Sequence, residues 1–430
     1  MSAPARVLGR RLLVTLGAVL VFRFGQSLPL PGVDVAALAA AEAGRSDQLH
    51  GLAALFTGGG LERMSVLALG VVPGQLAEVV LLLLVWAGPR LAALGGEGRA
   101  GAVRLERLTR VLTAGVGGLL GALLVLAAAG GHVGPGAGVL RDRSGLTLLA
   151  LTVCLTGGTV LVMRLGELIT THGVGSGPSV LFLTQAFAVL PGQLGSLRAS
   201  FGGPAFAGVL ALVLAVGAIV AAATVLTRRA ERRVPVQRAK RMVGRSPGGA
   251  ASTYLPIAFD RIGLGPAVWL APALFVLPAL AARSWPGAGW LQALAAALRP
   301  GSPWYLTGCL VLVTCFTFAA SIAGLDVVAA ADRLTRQGQF VPGIRPGPNT
   351  ADYLAYLQLR IALSGAVLAG AVALLPLALP AVLGTADRHP FNGIGLLLVA
   401  GLGAAVAARI TEQAEFLGVI RPQTPGQARR

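Results

Sequence analysis

AFAGVLALVLAVGAIVAAATVLT, residues 205–227, runs for 23 residues without a charge, and RRAERRVPVQRAKR, residues 228–241, follows it directly. About 20 apolar residues in a helix cross the hydrocarbon core of a bilayer, so the first stretch reads as a membrane span. Dense Arg and Lys after a span mark its cytoplasmic end. The pattern recurs along the chain. Candidate spans fall at about 10–28, 69–88, 109–129, 146–165, 179–191, 205–227, 263–282, 304–324, 359–379 and 392–410. The fifth is short and by itself reads as re-entrant, with a hinge loop near 192–204 after it. The 430 residues are 55% hydrophobic and 12% charged, with mean hydropathy +0.76. Soluble chains carry about 25% charged residues. This composition excludes a soluble multidomain enzyme and a disordered chain, and leaves a helical multi-pass membrane protein.

The formal charge is +18, from 34 Arg, one Lys (Lys240) and 17 acids. Ten spans place both termini on one side. The segments on that side hold 26 of the 35 basic residues, so both termini are expected to be cytoplasmic. Arg6, Arg10 and Arg11 precede the first run, but no small-residue cleavage site follows it, so it reads as a retained span. Cys154, Cys309 and Cys315 lie in apolar runs with no metal or disulfide spacing, and no metal or other cofactor is expected. The 60 glycines suit close helix packing in a membrane. A further apolar stretch, Leu52 to Phe56, is followed by Gly58, Gly59 and Gly60. It is too broken to span and reads as a re-entrant half-helix, tolerated at membrane depth where protein buries it.

Four longer motifs stand in order along the chain: LAALFTGGGLERMSVLALG (52–70), LGELITTHGVGSG (165–177), ERRVPVQRAKRMVGR (231–245) followed by GGAASTYLP (248–256), and QGQFVPGIRPG (337–347). Together they resemble SecY, the channel subunit of the Sec translocon, over about Leu12 to Ile420. The resemblance implies an all-α integral membrane fold: ten transmembrane helices in two inverted five-helix halves, here 1–200 and 201–430, around a central pore with a re-entrant plug at about 52–66. It implies a passive channel, not an enzyme. The channel would pass unfolded preproteins across the bacterial cell membrane and release signal sequences and transmembrane segments sideways into lipid. The implied partners are SecE, SecG, SecA, the ribosome and the preproteins.

The resemblance also assigns residues. Aligned on the family's motifs, the pore ring falls on Gln75, Val79, Pro178, Phe182, Val268 and Leu398. An apolar ring dewets and seals when empty. Gln75 and Pro178 depart from the family's apolar pattern, and Glu78 stands where the family has a small residue. Gln75 and Glu78 share a helix face. The plug would comprise Leu52, Ala53, Ala54, Leu55, Phe56, Thr57, Gly58, Gly59, Gly60, Leu61, Glu62, Arg63 and Met64. The basic loops at 228–261 and 327–360 would dock SecA or the ribosome, whose RNA backbone attracts Arg, through Arg233, Lys240, Arg241, Arg245 and Arg345. Ser246 stands where a second Arg is frequent.

Two other readings stay open on the residues: a divergent accessory channel with restricted clients, and a small-solute secondary transporter. A transporter would gather ionisable groups at midplane. Only Glu78 is an acid deep within a span. His50, His132, His172 and His389 all sit in loops, and no G-x-x-x-x-G-K-[ST] is present.

Overall fold

A computed structural model describes residues 3–42, 54–88, 91, 99–130, 140–229, 231–238, 253–258, 274–275, 278, 287–299, 301–323, 327–384 and 393–416. The helices are α1 (Ala3–Ser27), α2 (Val35–Glu42), α3 (Val72–Ala87), α4 (Arg99–Ala129), α5 (Gly145–His172), α6 (Gly177–Phe201), α7 (Gly203–Arg229), α8 (Gly289–Ala297), α9 (Pro303–Ala323), α10 (Val327–Arg336), α11 (Pro348–Val382) and α12 (Gly393–Phe416). Among the described residues, seven helices are long and apolar enough to cross a bilayer. The first candidate span coincides with α1 and the second with α3. The seventh, 263–282, lies almost wholly outside the described residues.

The fifth span departs from expectation. It does not stop at Pro191: α6 runs 25 residues with Pro191 inside it. The expected hinge loop at 192–204 contracts to Gly202 and Gly203, whose φ angles of 45° and 34° belong to the left-handed region that glycine adopts without strain. The serines beyond the proline turn their hydroxyls onto the helix's own backbone, Ser196 Oγ donating to the Gln193 carbonyl (2.8 Å) and Ser200 Oγ to that of Ser196 (2.7 Å). This lets a polar stretch stay helical.

The chain divides into two compact units. One comprises Met1–Leu81, Glu106–Ala218 and Pro376–Arg430; the other comprises Leu82–Leu105 and Ile219–Leu375. Three apolar clusters stand among the described residues of the first unit. Phe22, Leu67, Ile169 and Leu181 centre one of them. Leu30, Met64, Leu151 and Leu155 centre the second, and Leu197, Val213 and Leu379 the third. The turn from α5 to α6 is tied down by backbone donors: Gly177 N donates to Thr170 Oγ1 (2.9 Å) and Val174 N to Thr15 Oγ1 of α1 (2.9 Å). Residues 64–66 return beside 28–30, with Leu30 N on the Met64 carbonyl and Val66 N on that of Leu28, both at 2.9 Å.

In the second unit the basic loop carries strands that the sequence reading did not anticipate. Strand β1 (Glu231–Arg238) pairs antiparallel with β2 (Thr253–Ala258) and with β3 (Gln339–Phe340), in the order β2-β1-β3. Val234 and Val236 of β1 are buried against Ala331 and Leu334 of α10 and Leu354, Leu357 and Ile361 of α11. Alternation along a strand puts 234 and 236 on one face, and that face is the apolar one. The last turn of α9 leaves carbonyls without helical partners. Gln358 Nε2 of α11 donates to those of Ser321 and Ile322, at 3.1 Å each.

Candidate functional site

The segment expected to form the plug lies in the first unit. Ala54 to Thr57 make one helical turn, and turns follow through Met64. The turn is apolar and seats on three helices. The Phe56 ring stacks on Phe182 of α6, with centroids 6.2 Å apart and planes 14° from parallel. Leu55 is fully buried and packs where Gly395 of α12 lacks a side chain: a Cβ there would stand 3.3 Å from Leu55 Cδ1. Gln26 Nε2 of α1 donates to the Thr57 carbonyl (2.9 Å), and Arg23 Nη1 donates to Gln26 Oε1 (2.7 Å) and to the Gly58 carbonyl (3.4 Å). Gly58 and Gly59 have φ of 64° and 77°, and the glycine run supplies that reversal. Met64 ends it at φ 40°, a left-handed conformation rare outside glycine, with its side chain fully buried.

Gln185 of α6 is wedged in the floor of this seat, between Gly58 and Gly70. A Cβ on Gly58 would lie 3.0 Å from its Cγ, and a Cβ on Gly70 would strike its amide nitrogen. Gln185 is fully buried, and neither amide atom has a hydrogen-bond partner among the described residues. Gln193, two turns further along α6, is also buried without a partner among them. It lines a cavity of about 350 Å³ with Arg23, Arg63, Glu62, Gly58 and Gly59.

The ring positions divide between two places. Phe182 meets Phe56 of the segment expected to form the plug, and Leu398 of α12 is buried, 2% exposed. Gln75 of α3 and Pro178 of α6 line a second cavity of about 470 Å³. Val79 of α3 is buried. Pro178 opens α6, where a missing N–H costs no helical hydrogen bond. Val268, and Leu52 and Ala53 of the plug, lie outside the described residues. So do Lys240, Arg241 and Arg245. Arg233 lies on β1, opposite Pro256 of β2. Arg345 is exposed in the turn between β3 and α11, and Thr350 Oγ1 donates to its carbonyl at 3.0 Å. Gly343 and Gly347 on either side have φ of 82° and 108°, which holds Arg345 at the apex.

The sequence reading missed Arg23, Gln26, Gln185 and Gln193. Gln185 alone carried a signal, a polar side chain inside an otherwise apolar span, where a polar group needs a reason. Among the described residues no His, Cys, Asp and Glu gather at metal-ligand spacing.

The SecY family model matches residues 65–407. Protein translocase subunit SecY of Streptomyces galbus is 35% identical over 416 residues, covering 94% of each chain. That of Mycobacterium tuberculosis strain H37Rv is 34% identical over 422 residues, covering 94% of this chain and 95% of the relative. Among solved structures, a protein-conducting channel superposes with a TM-score of 0.59 at 14% identity, covering 97% of this chain and 95% of that one. The idle yeast Ssh1 complex bound to the 80S ribosome gives 0.60 at 16%, covering 95% and 90%. At such identities the structural likeness speaks for the fold, and the sequence relatives speak for the family. With its apolar helical spans, a motif series in family order and a family model matched over most of its length, the chain belongs to the SecY family of membrane-embedded, non-enzymatic protein-translocation channels.

Proposed function

We propose that this chain forms the channel of a bacterial cell-membrane translocase, with both termini cytoplasmic and two inverted halves at 1–200 and 201–430. Unfolded preproteins pass through it, and signal sequences and transmembrane segments leave sideways into lipid. The observation that carries the reading is the Phe56 ring stacked on Phe182: an apolar half-helix, closed by glycines, packs on a span that contributes to the ring. The segment from Leu52 to Met64 is then the plug. Gln75, Val79, Pro178, Phe182, Val268 and Leu398 make the constriction.

SecA or the ribosome drives transport from the cytoplasmic loops through Arg233, Lys240, Arg241, Arg245 and Arg345, with SecE and SecG alongside in the membrane. The basic excess on that side supports an anionic docking partner, and the Ssh1 complex to which the fold is similar is bound to a ribosome. Deleting residues 54–60 tests the plug. The variant channel is expected to transport preprotein while its resting ion conductance in planar bilayers rises well above that of the intact chain. An unchanged conductance overturns the plug assignment.

A further inference from the structure

The cavity of about 470 Å³ beside Gln75 and Pro178 has a charge distribution that sealing does not require. Its titratable groups are Glu78 of α3, Glu106 and Arg110 of α4, and Arg164, Glu167 and His172 of α5. Four of these are tied to one another. Arg110 reaches Glu106 and Glu167 at 2.7 Å each, and Arg164 reaches the other Glu167 oxygen at 2.9 Å. Two guanidiniums and two carboxylates cancel. His172 Nδ1 is 2.8 Å from Thr171 Oγ1. Glu78 remains, with neither an ion pair nor a hydrogen bond among the described residues. It is one turn from Gln75 on the same helix face.

An unpaired carboxylate inside a span is costly unless water or a counter-charge reaches it. The cavity gives that access, and its net charge is that of one free acid. We propose that Glu78 is a counter-ion site for a basic side chain, the ammonium of Lys or the guanidinium of Arg, carried near the N-terminus of an entering polypeptide. Secretory signal peptides carry such a positive segment ahead of their apolar run. On the proposed topology α5 ends and α6 begins on the cytoplasmic side, and the cavity reaches Thr171, His172 and Pro178 there, so it extends to where that segment arrives. The Arg110–Glu167 pair keeps the neighbouring charges occupied, and Glu78 alone is left to select. This inference rests on the channel reading above.

Two reporter preproteins separate the possibilities. They are identical except that one carries three lysines before the apolar run and the other three glutamines. Transport is measured by protease protection in membrane vesicles from cells producing the full chain. With Glu78→Gln, the ratio of lysine-reporter to glutamine-reporter transport is expected to fall about tenfold or more, the low end of the coupling between close charge pairs. Glu78→Asp is expected to keep most of the ratio. If the ratio is unchanged in Glu78→Gln while both rates fall, Glu78 serves the seal or the packing and the inference is wrong; it is equally wrong if neither rate moves. If vesicles with the unaltered chain transport neither reporter above vesicles lacking it, the channel reading itself fails, and the counter-ion site with it.

Discussion

Gly70 has φ +53° and faces the Gln185 amide so closely that a methyl group would displace it. Gly70→Ala is therefore expected to destabilise the protein in two separable ways. The left-handed backbone alone costs about 1–2 kcal/mol for a residue with a Cβ. The collision adds a second term that the double variant Gly70→Ala/Gln185→Ala should relieve, leaving only the first. Thermal unfolding in detergent of the singles and the double reads both terms as a coupling cycle. A polar amide at a ring position holds water where an apolar side chain would expel it. Gln75→Ile should lower resting ion conductance, and an unchanged conductance would show that Gln75 has no part in leakage. Phe182 and Gln75 could be singled out in the sequence as ring candidates because motif alignment counts positions from nearby glycine and proline turns, and the structure places them on the Phe56 ring and in a cavity wall. Arg23 and Gln26 could not. Nothing local distinguishes them from polar residues at a span's wet end, and their role exists only through contact with Thr57 and Gly58, more than 30 residues away.

Helix α5 begins on a compact cap. Ser144 Oγ accepts from Thr147 N at 3.3 Å, and Asp142 accepts from Thr147 Oγ1 at 2.7 Å and from Ser144 N at 3.0 Å. The Thr147 hydroxyl first, and then the Ser144 backbone, hold the Asp142 carboxyl below its ordinary value. A depressed carboxyl contributes stability that is present above its unfolded pKa of about 3.9 and lost as pH falls through its folded value. Amide exchange at Thr147 should therefore accelerate as the pH is lowered beneath about 4, and Asp142→Asn should make that exchange insensitive to pH in the same window once the intrinsic rate is removed. The helices themselves were legible because an uncharged run of about 20 residues fits poorly anywhere but across a bilayer. Their ends were less so. Reading Pro191 as a stop treated it as a soluble-helix breaker, whereas a membrane span tolerates proline when neighbours and serines satisfy the freed backbone. The β1–β2 pairing was hidden for a different reason. Its alternation rests on only Val234 and Val236, within a stretch where arginine dominates the composition.

Across the whole molecule, charge is sorted. Most basic residues fall in the segments expected on the cytoplasmic side, and Arg345 is an exposed residue within one of them. An exposed cation acts on association with a partner; it has no bearing on folding. Arg345→Glu is expected to leave membrane insertion and thermal stability intact while abolishing motor-driven transport in reconstituted vesicles. Full transport by that variant would refute the docking role. The fold at this scale was readable from hydropathy and motif order together. Which polar residues line the seat of Phe56 was not, since that depends on how residues 54–64 come to rest against helices distant in sequence.

Gln185 and Ser65 are both fully buried near that segment, with side-chain polar atoms that find no partner among the described residues. A dry, unpaired polar group forfeits about 1–3 kcal/mol. On the plug reading proposed above, a seat lined wholly with leucine would hold the segment more firmly and would demand a stronger stimulus to open. On the same reading, the glutamine and the serine lower the work of lifting it, because water reaches them as it leaves.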